Sequence, residues 1–331
     1  MDFFMRTSIQ LNHRVAKELG VALHEACILP QLARERDSLG ANRKAASPTD
    51  GVTMTSRKVE GALSNRRIIT LTTDFGLTDH FVGVMKGVIL SIHPEVELVD
   101  ISHEVGSYDV LEGALALVQS YHYFPPGTIH LVVVDPGVGS TRRPILATTP
   151  RYQFVAPDNG VLSAVYERED ALEVRHATAD HYWLNPVSRT FHGRDIFAPV
   201  AAWLSKGVEA SNFGDLITDY VRIALPKPAR VQENGKWRIQ GTVLRIDKFG
   251  NLVTNLTPED VPELFREPPP PFRIVINQQE ITTLRRSFAE GRTSEVFAIL
   301  GSSGFIEIGT NRGSAAQALQ AERGAPVAVI L

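Results

Sequence analysis

Residues 130–144 read HLVVVDPGVGSTRRP. The stretch begins as a hydrophobic, β-branched run, which reads as a strand. It breaks on Asp135, passes through a Pro-Gly turn and ends on Arg142 and Arg143. A strand that delivers a carboxylate into a glycine-rich loop is a common way to place a catalytic or binding group. The glycines let the backbone pass close to a ligand with no side chain in the way.

Upstream, RIITLTTD at 67–74 reads as a buried strand ending on Asp74, and FGLT as a loop. Thr78 or Asp79 is placed to cap a helix that runs to about His93. On it Val82, Met85, Val88, Ile89 and Ile92 share one side, Gly83 and Gly87 would permit close packing, and His93-Pro94 ends it. VELVDIS brings a second strand to Asp100, and Asp109 starts a second helix that Pro125-Pro126-Gly127 stops. IHLVVVD is then the third strand. Strand, helix, strand, helix, strand implies a parallel sheet with right-handed crossovers. Ligands gather at the carboxyl ends of such strands, where Asp74, Asp100 and Asp135 all fall.

Downstream, PILATT and YQFVA read as a hairpin, and Asp158 or Asn159 of PDNG as the cap of a short helix. FHGRDIFAPVAAWLSKG reads as a helix with a polar head carrying His192, Arg194 and Asp195. Residues 226–235 are proline-rich and polar and read as a linker. From 236 to 331 the pattern changes to short β-branched runs separated by Gly, Asn and Pro turns, which predicts a smaller, mostly antiparallel β domain. The expected class is therefore α/β: a parallel-sheet α/β domain over 66–225, then the β domain. Residues 1–65 read as an extension, partly helical or disordered, with Met54 as a second possible start.

Of the 331 residues, 43% are hydrophobic and 21% charged, as in a globular protein, and the formal charge of -3 does not suggest a nucleic-acid partner. Cys27 is the one cysteine, so a disulfide framework and a thiolate metal cage are excluded. No apolar run reaches the ~18 residues that span a bilayer, and no secretory leader is legible, so a cytoplasmic location is expected.

The motifs TTDFGLTD at 72–79, VVDPGVGSTRR at 133–143, PDNG at 157–160, FHGRD at 191–195, IDKFGNLVTN at 246–255 and NRGSAA at 311–316 occur in one order. Over about 66–331 the sequence resembles the S-adenosylmethionine (SAM) hydroxide adenosyltransferases, the SAM hydrolases related to the fluorinase and chlorinase enzymes. That resemblance implies attack of an activated water on the ribose 5′ carbon, giving adenosine and L-methionine. It assigns Asp135, Arg142 and His192 to the water. Asp135 accepts a proton or orients the water, Arg142 stabilises hydroxide character, and His192 completes the contacts and could shuttle a proton. The choice of Arg142 over Arg143 rests on spacing.

By the same resemblance Asp74 takes the ribose hydroxyls, and Tyr108, Thr190 and Phe191 line the site. Asp247 holds the methionine ammonium, Phe249, Asn251 and Phe288 contact the adenine, and the turn at Asn311 reads the adenine edge. DKFGN is also a plausible hairpin turn in its own right, and Phe288 a plausible core residue. The resemblance further implies a homotrimer with the site between subunits, SAM as substrate, no cofactor and no metal. Three alternatives stay open. Halide adenosyltransfer is disfavoured by the carboxylate of Asp135. A metal-dependent hydrolase would draw on Asp74, Asp79, His80, His103, Asp135, His192 and Asp195, but no HxH or HExxH spacing links them. A non-catalytic SAM- or adenosine-binding protein would not need Asp135, Arg142 and His192 together.

Overall fold

The computed structural model describes residues 67–331 apart from Asn234. The extension read over 1–65 lies outside them. The first domain is built on strands β1 (Ile68–Thr73), β2 (Glu97–Ser102), β3 (Ile129–Val133), β4 (Pro144–Thr148), β5 (Gln153–Pro157) and β6 (Glu173–His176). They form a six-stranded sheet in the order β2-β1-β3-β5-β4-β6. β1 pairs parallel with β2 and β3, and β3 with β5; β4 runs antiparallel to β5 and β6. The α/β class is thus as expected, and the PILATT/YQFVA hairpin is β4 and β5.

Both faces of this sheet are covered. On one side α1 (Phe81–Ile92) and α4 (Ala198–Ser205) bury Met85, Ile89, Val200 and Ala201 against Ile69, Leu71, Leu131 and Val133. On the other, α2 (Val110–Ser120) and α3 (Ser163–Arg168) pack Leu117, Val165 and Tyr166 with Tyr121, Val132, Tyr152 and Phe154. A strand buried on both faces reads as a continuous apolar run, and β3 is buried at every position. Leu131→Ala would therefore open a cavity in the middle layer and cost about 2–5 kcal/mol.

Several local expectations need correction. α1 begins at Phe81, with His80 at the cap position and no side-chain cap, so neither Thr78 nor Asp79 starts it. A Cβ at Gly83 or Gly87 would meet nothing within 4 Å, so these glycines do not mediate close packing. Asp109 does cap α2, accepting from Glu112 N at 2.9 Å. Asp100 lies inside the edge strand β2, paired with Lys86 Nζ at 2.6 Å rather than turned towards Asp135. The helix read from FHGRD starts as a π-type turn over Gly193–Phe197 before α4. Such turns cluster at functional sites.

The second domain is a nine-stranded sheet. Its strands are β7 (Ala229–Glu233), β8 (Lys236–Ile246), β9 (Leu252–Thr254), β10 (Arg273–Ile276), β11 (Gln279–Ile281), β12 (Leu284–Arg285), β13 (Val296–Leu300), β14 (Ile306–Thr310) and β15 (Pro326–Ile330). All pairings are antiparallel except β12 with β13. β7 falls within the stretch read as a linker. Its register with β8, Ala229↔Gln240 to Glu233↔Lys236, makes a hairpin that the proline content of the stretch concealed. A short helix, α5 (Ala315–Leu319), is capped by Ser314, which accepts from Gln317 N.

All described residues belong to one compact unit. Arg323 of the β domain reaches Asp109 of the first domain through both terminal nitrogens, the Nη2–Oδ1 contact being 3.0 Å. No helix among the described residues is long and apolar enough to cross a membrane.

Candidate active site

Chain order places β2 on one side of β1 and β3 on the other, so the sheet has a topological switch point between β1 and β3. The crevice beyond the carboxyl ends of two such strands is where open α/β sheets bind ligands. Asp74 follows β1 directly, and Asp135 lies two residues beyond β3. The register Thr73↔Val133 puts the two ends side by side.

Asp135 is clamped from one side. Arg142 Nε donates to Oδ1 at 2.9 Å and Arg142 Nη2 to Oδ2, a planar fork on a carboxylate. Both side chains are nearly sealed, at 5% exposed for Asp135 and 8% for Arg142. The guanidinium lies 5.0 Å from the ring centre of the buried Phe197 in the π-type turn. Arg142 Nη2 also lies 2.8 Å from His192 Nδ1. Arginine only donates, so Nδ1 is the acceptor and the neutral ring carries its proton on Nε2. Burial, and then the Arg142 charge, hold His192 below the ordinary imidazole value, although Asp135 pulls the other way. A neutral ring with Nδ1 bonded to Arg142 takes up a proton only by giving up that contact, so in this arrangement His192 offers an Nε2–H donor rather than a free base for the expected shuttle.

Arg143 points elsewhere, to Asp158 at 2.6 Å and Asp219 at 2.8 Å. Only the first of the two neighbouring arginines meets the carboxylate. Asp158 is thereby a brace for Arg143 and for Val221 N, and Asn159 accepts from Val161 N.

Two loops interlock to hold this cluster. Gly139 has φ 76°, and a Cβ there would overlap the Arg189 carbonyl oxygen. Only glycine suits both demands. Asp195 is fully buried, accepts from Ser188 N at 2.8 Å and pairs with Arg194, pinning the segment that carries Thr190, Phe191 and His192. In front of the cluster is a cavity of about 120 Å³ lined by Phe75, Phe81, Val133, Asp135, Val138, Thr190, Phe191, His192 and Gly193. That is below the ~300–1,000 Å³ of pockets that enclose a whole drug-sized ligand, so it suits only the reacting end of one. Phe75 and Phe81 were not singled out from sequence. Phe75 lies inside the quoted TTDFG motif, and Phe81 reads only as the first apolar residue of a helix.

Asp74 Oδ2 accepts from Tyr108 N at 2.8 Å. Tyr108 sits at φ 66° and its side chain is 73% exposed, so its backbone braces Asp74 while its ring stands free. Burial raises the Asp74 pKa above its usual value; the Tyr108 and Asp74 amides oppose this and the Asp135 charge adds to it.

The β-domain residues form a separate group. Phe249, Asn251 and Phe288 line a pocket of about 550 Å³ with Thr310, Arg312, Gly313 and Ser314. A neighbouring pocket of about 420 Å³ adds Asp247, Arg245, Ser302, Ser303 and Glu307. Asp247 organises its own hairpin. Oδ1 accepts from Phe249 N and Asn251 N, and Oδ2 from Asn251 Nδ2, each at 2.8 Å. Phe288 is a half-exposed wall rather than a core residue. Asn311 faces inward, donating from Nδ2 to the Gly291 carbonyl at 2.8 Å, and does not line either pocket. Arg245, Ser302, Ser303 and Glu307 carried no motif signal, since strand alternation explains two of them and turn chemistry the others. Among the described residues no group of three or more His, Cys, Asp or Glu is arranged to hold a metal ion.

Family models for the SAM hydroxide adenosyltransferase N-terminal and C-terminal domains match residues 69–214 and 241–328. The chain belongs to the SAM hydroxide adenosyltransferase family. It is 35% identical over 272 residues to the (R)-S-adenosyl-L-methionine hydrolase of Thermus thermophilus, covering 80% of this chain and 100% of that protein. It is 30% identical over 220 residues to a fluorinase of an Actinoplanes species, covering 59% of this chain and 73% of that protein. The solved structure of a conserved Thermotoga maritima protein superposes with a TM-score of 0.73 at 38% identity, over 79% of this chain and 99% of that one. The family match spans both the domain that holds Asp135, Arg142 and His192 and the domain that holds the Phe249 pocket.

Proposed function

We propose that this SAM hydroxide adenosyltransferase family member is a SAM hydrolase, with water attacking the ribose 5′ carbon to yield adenosine, L-methionine and a proton. The observation that carries this is the Arg142 fork on Asp135 at the wall of the small cavity. The leaving group is a neutral thioether, so no general acid is needed. Positive charge moves from sulfur onto the attacking oxygen as the bond forms. A carboxylate facing that oxygen stabilises the change and accepts the proton. Arg142 then acts by fixing Asp135, and His192 by donating from Nε2 and holding Arg142.

The same carboxylate weighs against halide as the nucleophile. Two unit charges ~4 Å apart repel by about 4 kcal/mol at an effective dielectric of ~20, before Arg142 offsets part of it. Hydrolase relatives at 32–35% identity, against 28–30% for the fluorinases, support the same choice. Following their names, the substrate form is the (R)-sulfonium. Asp74 takes the ribose hydroxyls, Tyr108, Thr190 and Phe191 line the sugar end, and Phe249, Phe288 and Asn251 take the adenine. Asp247, with one lone pair of Oδ2 uncommitted, takes the ammonium. The reaction draws on no cofactor and no metal.

In this reading the enzyme is a cytoplasmic homotrimer, and the α/β half-site of one subunit is covered by the β half-site of the next. Exposed apolar side chains at both half-sites support it: Leu77, Tyr108 and Val138 on one, Phe249 and Phe288 on the other. The test is to incubate pure protein with (R)-SAM and (S)-SAM, with and without fluoride, chloride and EDTA, and follow the products. Adenosine and methionine from (R)-SAM, unaffected by EDTA, are expected. A 5′-halo-adenosine, or tight binding with no product, would overturn the hydrolase reading.

A further inference from the structure

His103 is buried just beyond β2, outside the site as described above. Both ends of this one residue hold the segment that carries Asp74. Its ring Nδ1 lies 2.8 Å from Thr73 Oγ1. Its carbonyl accepts from Gly76 N at 2.7 Å. Residues 73 and 76 bracket Asp74, so the loop is tied down on either side by the same neighbour. Thr73 Oγ1 in turn accepts from Phe75 N at 3.3 Å, which leaves its hydroxyl proton for His103 Nδ1. The ring therefore carries its proton on Nε2, which lies 3.0 Å from Asp100 Oδ1. The Nε2–H of the neutral ring thus faces the Asp100 carboxylate. Lys86 Nζ holds the other Asp100 oxygen at 2.6 Å.

A polar chain thus runs Lys86–Asp100–His103–Thr73 and ends on the backbone beside Asp74. Thr73 and His103 are both buried, where a polar group without a partner is costly and one with partners is fixed in place. From the other side Tyr108 N fixes the Asp74 carboxylate itself. The Gly76 contact is made by the backbone and would survive a change of side chain, so the ring's own share of this hold is its contact with Thr73.

We infer that His103 is a positioning residue for substrate recognition: through Thr73 and Gly76 it holds Asp74 in the place from which it takes the ribose hydroxyls. This rests on the reading of Asp74 as the ribose ligand. Such an interaction is equal in ground and transition states, so its loss raises KM and leaves kcat.

The experiment is a cycle between variants and substrates, with SAM and its 2′-deoxyadenosyl analogue as the two probes. With SAM, His103→Leu is expected to raise KM about tenfold with kcat within about threefold, as for a lost hydrogen bond to a charged group. Thr73→Val, nearly the same shape and less disturbing to the fold, should give the same signature at smaller size. His103→Asn, which keeps a polar atom near the Nδ1 position, should recover part of the loss. With the 2′-deoxy analogue the differences between wild type and variants should shrink to within about twofold, because the effects share one contact. Equal losses with both substrates, or a fall in kcat at constant KM, would overturn the inference. Asp74→Asn is the control. If it shows no preference between the two substrates, the ribose reading of Asp74 falls, and the inference with it. If it does and the His103 and Thr73 variants do not, only the inference falls.

Discussion

In the α/β domain the Asp135 and Arg142 side chains are almost sealed from solvent, Asp135 held by Arg142 and Arg142 in turn by His192 and Phe197. In the β domain Phe249 stands 75% exposed at the tip of a hairpin, beside a half-exposed Phe288. The first region is finished within one chain, because charge that must act at a reacting atom has to be fixed beforehand. The second presents apolar faces that gain only when something covers them. Loss of the first should remove chemistry, and loss of the second should remove affinity.

The largest expected effect follows from Asp135→Ala. Turnover should fall by about 10²–10⁴, the usual range for a positioned acid or base, while SAM binding stays within a few-fold. Steady-state kinetics with calorimetric binding check it, and a variant that binds poorly but turns over normally would erase the contrast. Phe249→Ala should do the opposite. One stacked base is worth ~1–3 kcal/mol, so KM should rise about fivefold to 150-fold with kcat little changed.

Mixing the two variants sharpens the comparison further. If the half-sites meet across subunits, trimers assembled from both contain pockets with an intact α/β half and an intact β half. Activity above that of either variant alone is then expected after co-refolding or co-expression. If each pocket is built within one chain, the low-KM activity of the wild type does not return and the mixture shows only the average of the two variants.

Much of this division was legible in the sequence because it rests on local patterns. Three strands that carry aspartates are visible in RIITLTTD, VELVDIS and IHLVVVD, and both sheets follow from periodicity and turns. What could not be read was which partner a side chain takes. Arg142 and Arg143 are neighbours in sequence, yet they serve Asp135 and Asp158, and only the fold at β4 separates them. β7 was hidden because Pro226 and Pro228 stop just short of its start at Ala229. Asp100 looked equivalent to Asp74 and Asp135, but an edge strand carries it to Lys86. His103 has no motif of its own, and the ring contact that matters spans thirty residues to Thr73.

The pH dependence separates the halves more gently. His192 has its value below 6.5, so it is neutral above that pH and protonates only on acidification. Protonation would set a second cation against Arg142 and remove its acceptor. Asp74, raised above 3.8, loses its charge earlier than an ordinary aspartate as pH falls. Activity should therefore be flat above 6.5 and decline below it, with KM rising as Asp74 protonates. A decline on the alkaline side in place of the acid limb would contradict both assignments.

The smallest effect concerns stability alone. His130, buried against Tyr121, Tyr152 and Phe154, has its pKa lowered from 6.5 to about 3 by burial. The unfolded chain binds that proton first, so its stabilising contribution is full above 6.5 and is lost as pH falls towards about 3. The slope from this one site is at most about 1.4 kcal/mol per pH unit. Urea midpoints of wild type and a Thr70→Val/His130→Phe pair should diverge in pH dependence below 6.5 while catalysis above it is unchanged.

The attack of water on the ribose carbon is tested most directly by running the reaction in water enriched in heavy oxygen. One labelled oxygen in the 5′ hydroxyl of adenosine, with unlabelled methionine, is the predicted result. Adenosine without label, or label in the methionine-derived product, would contradict the account.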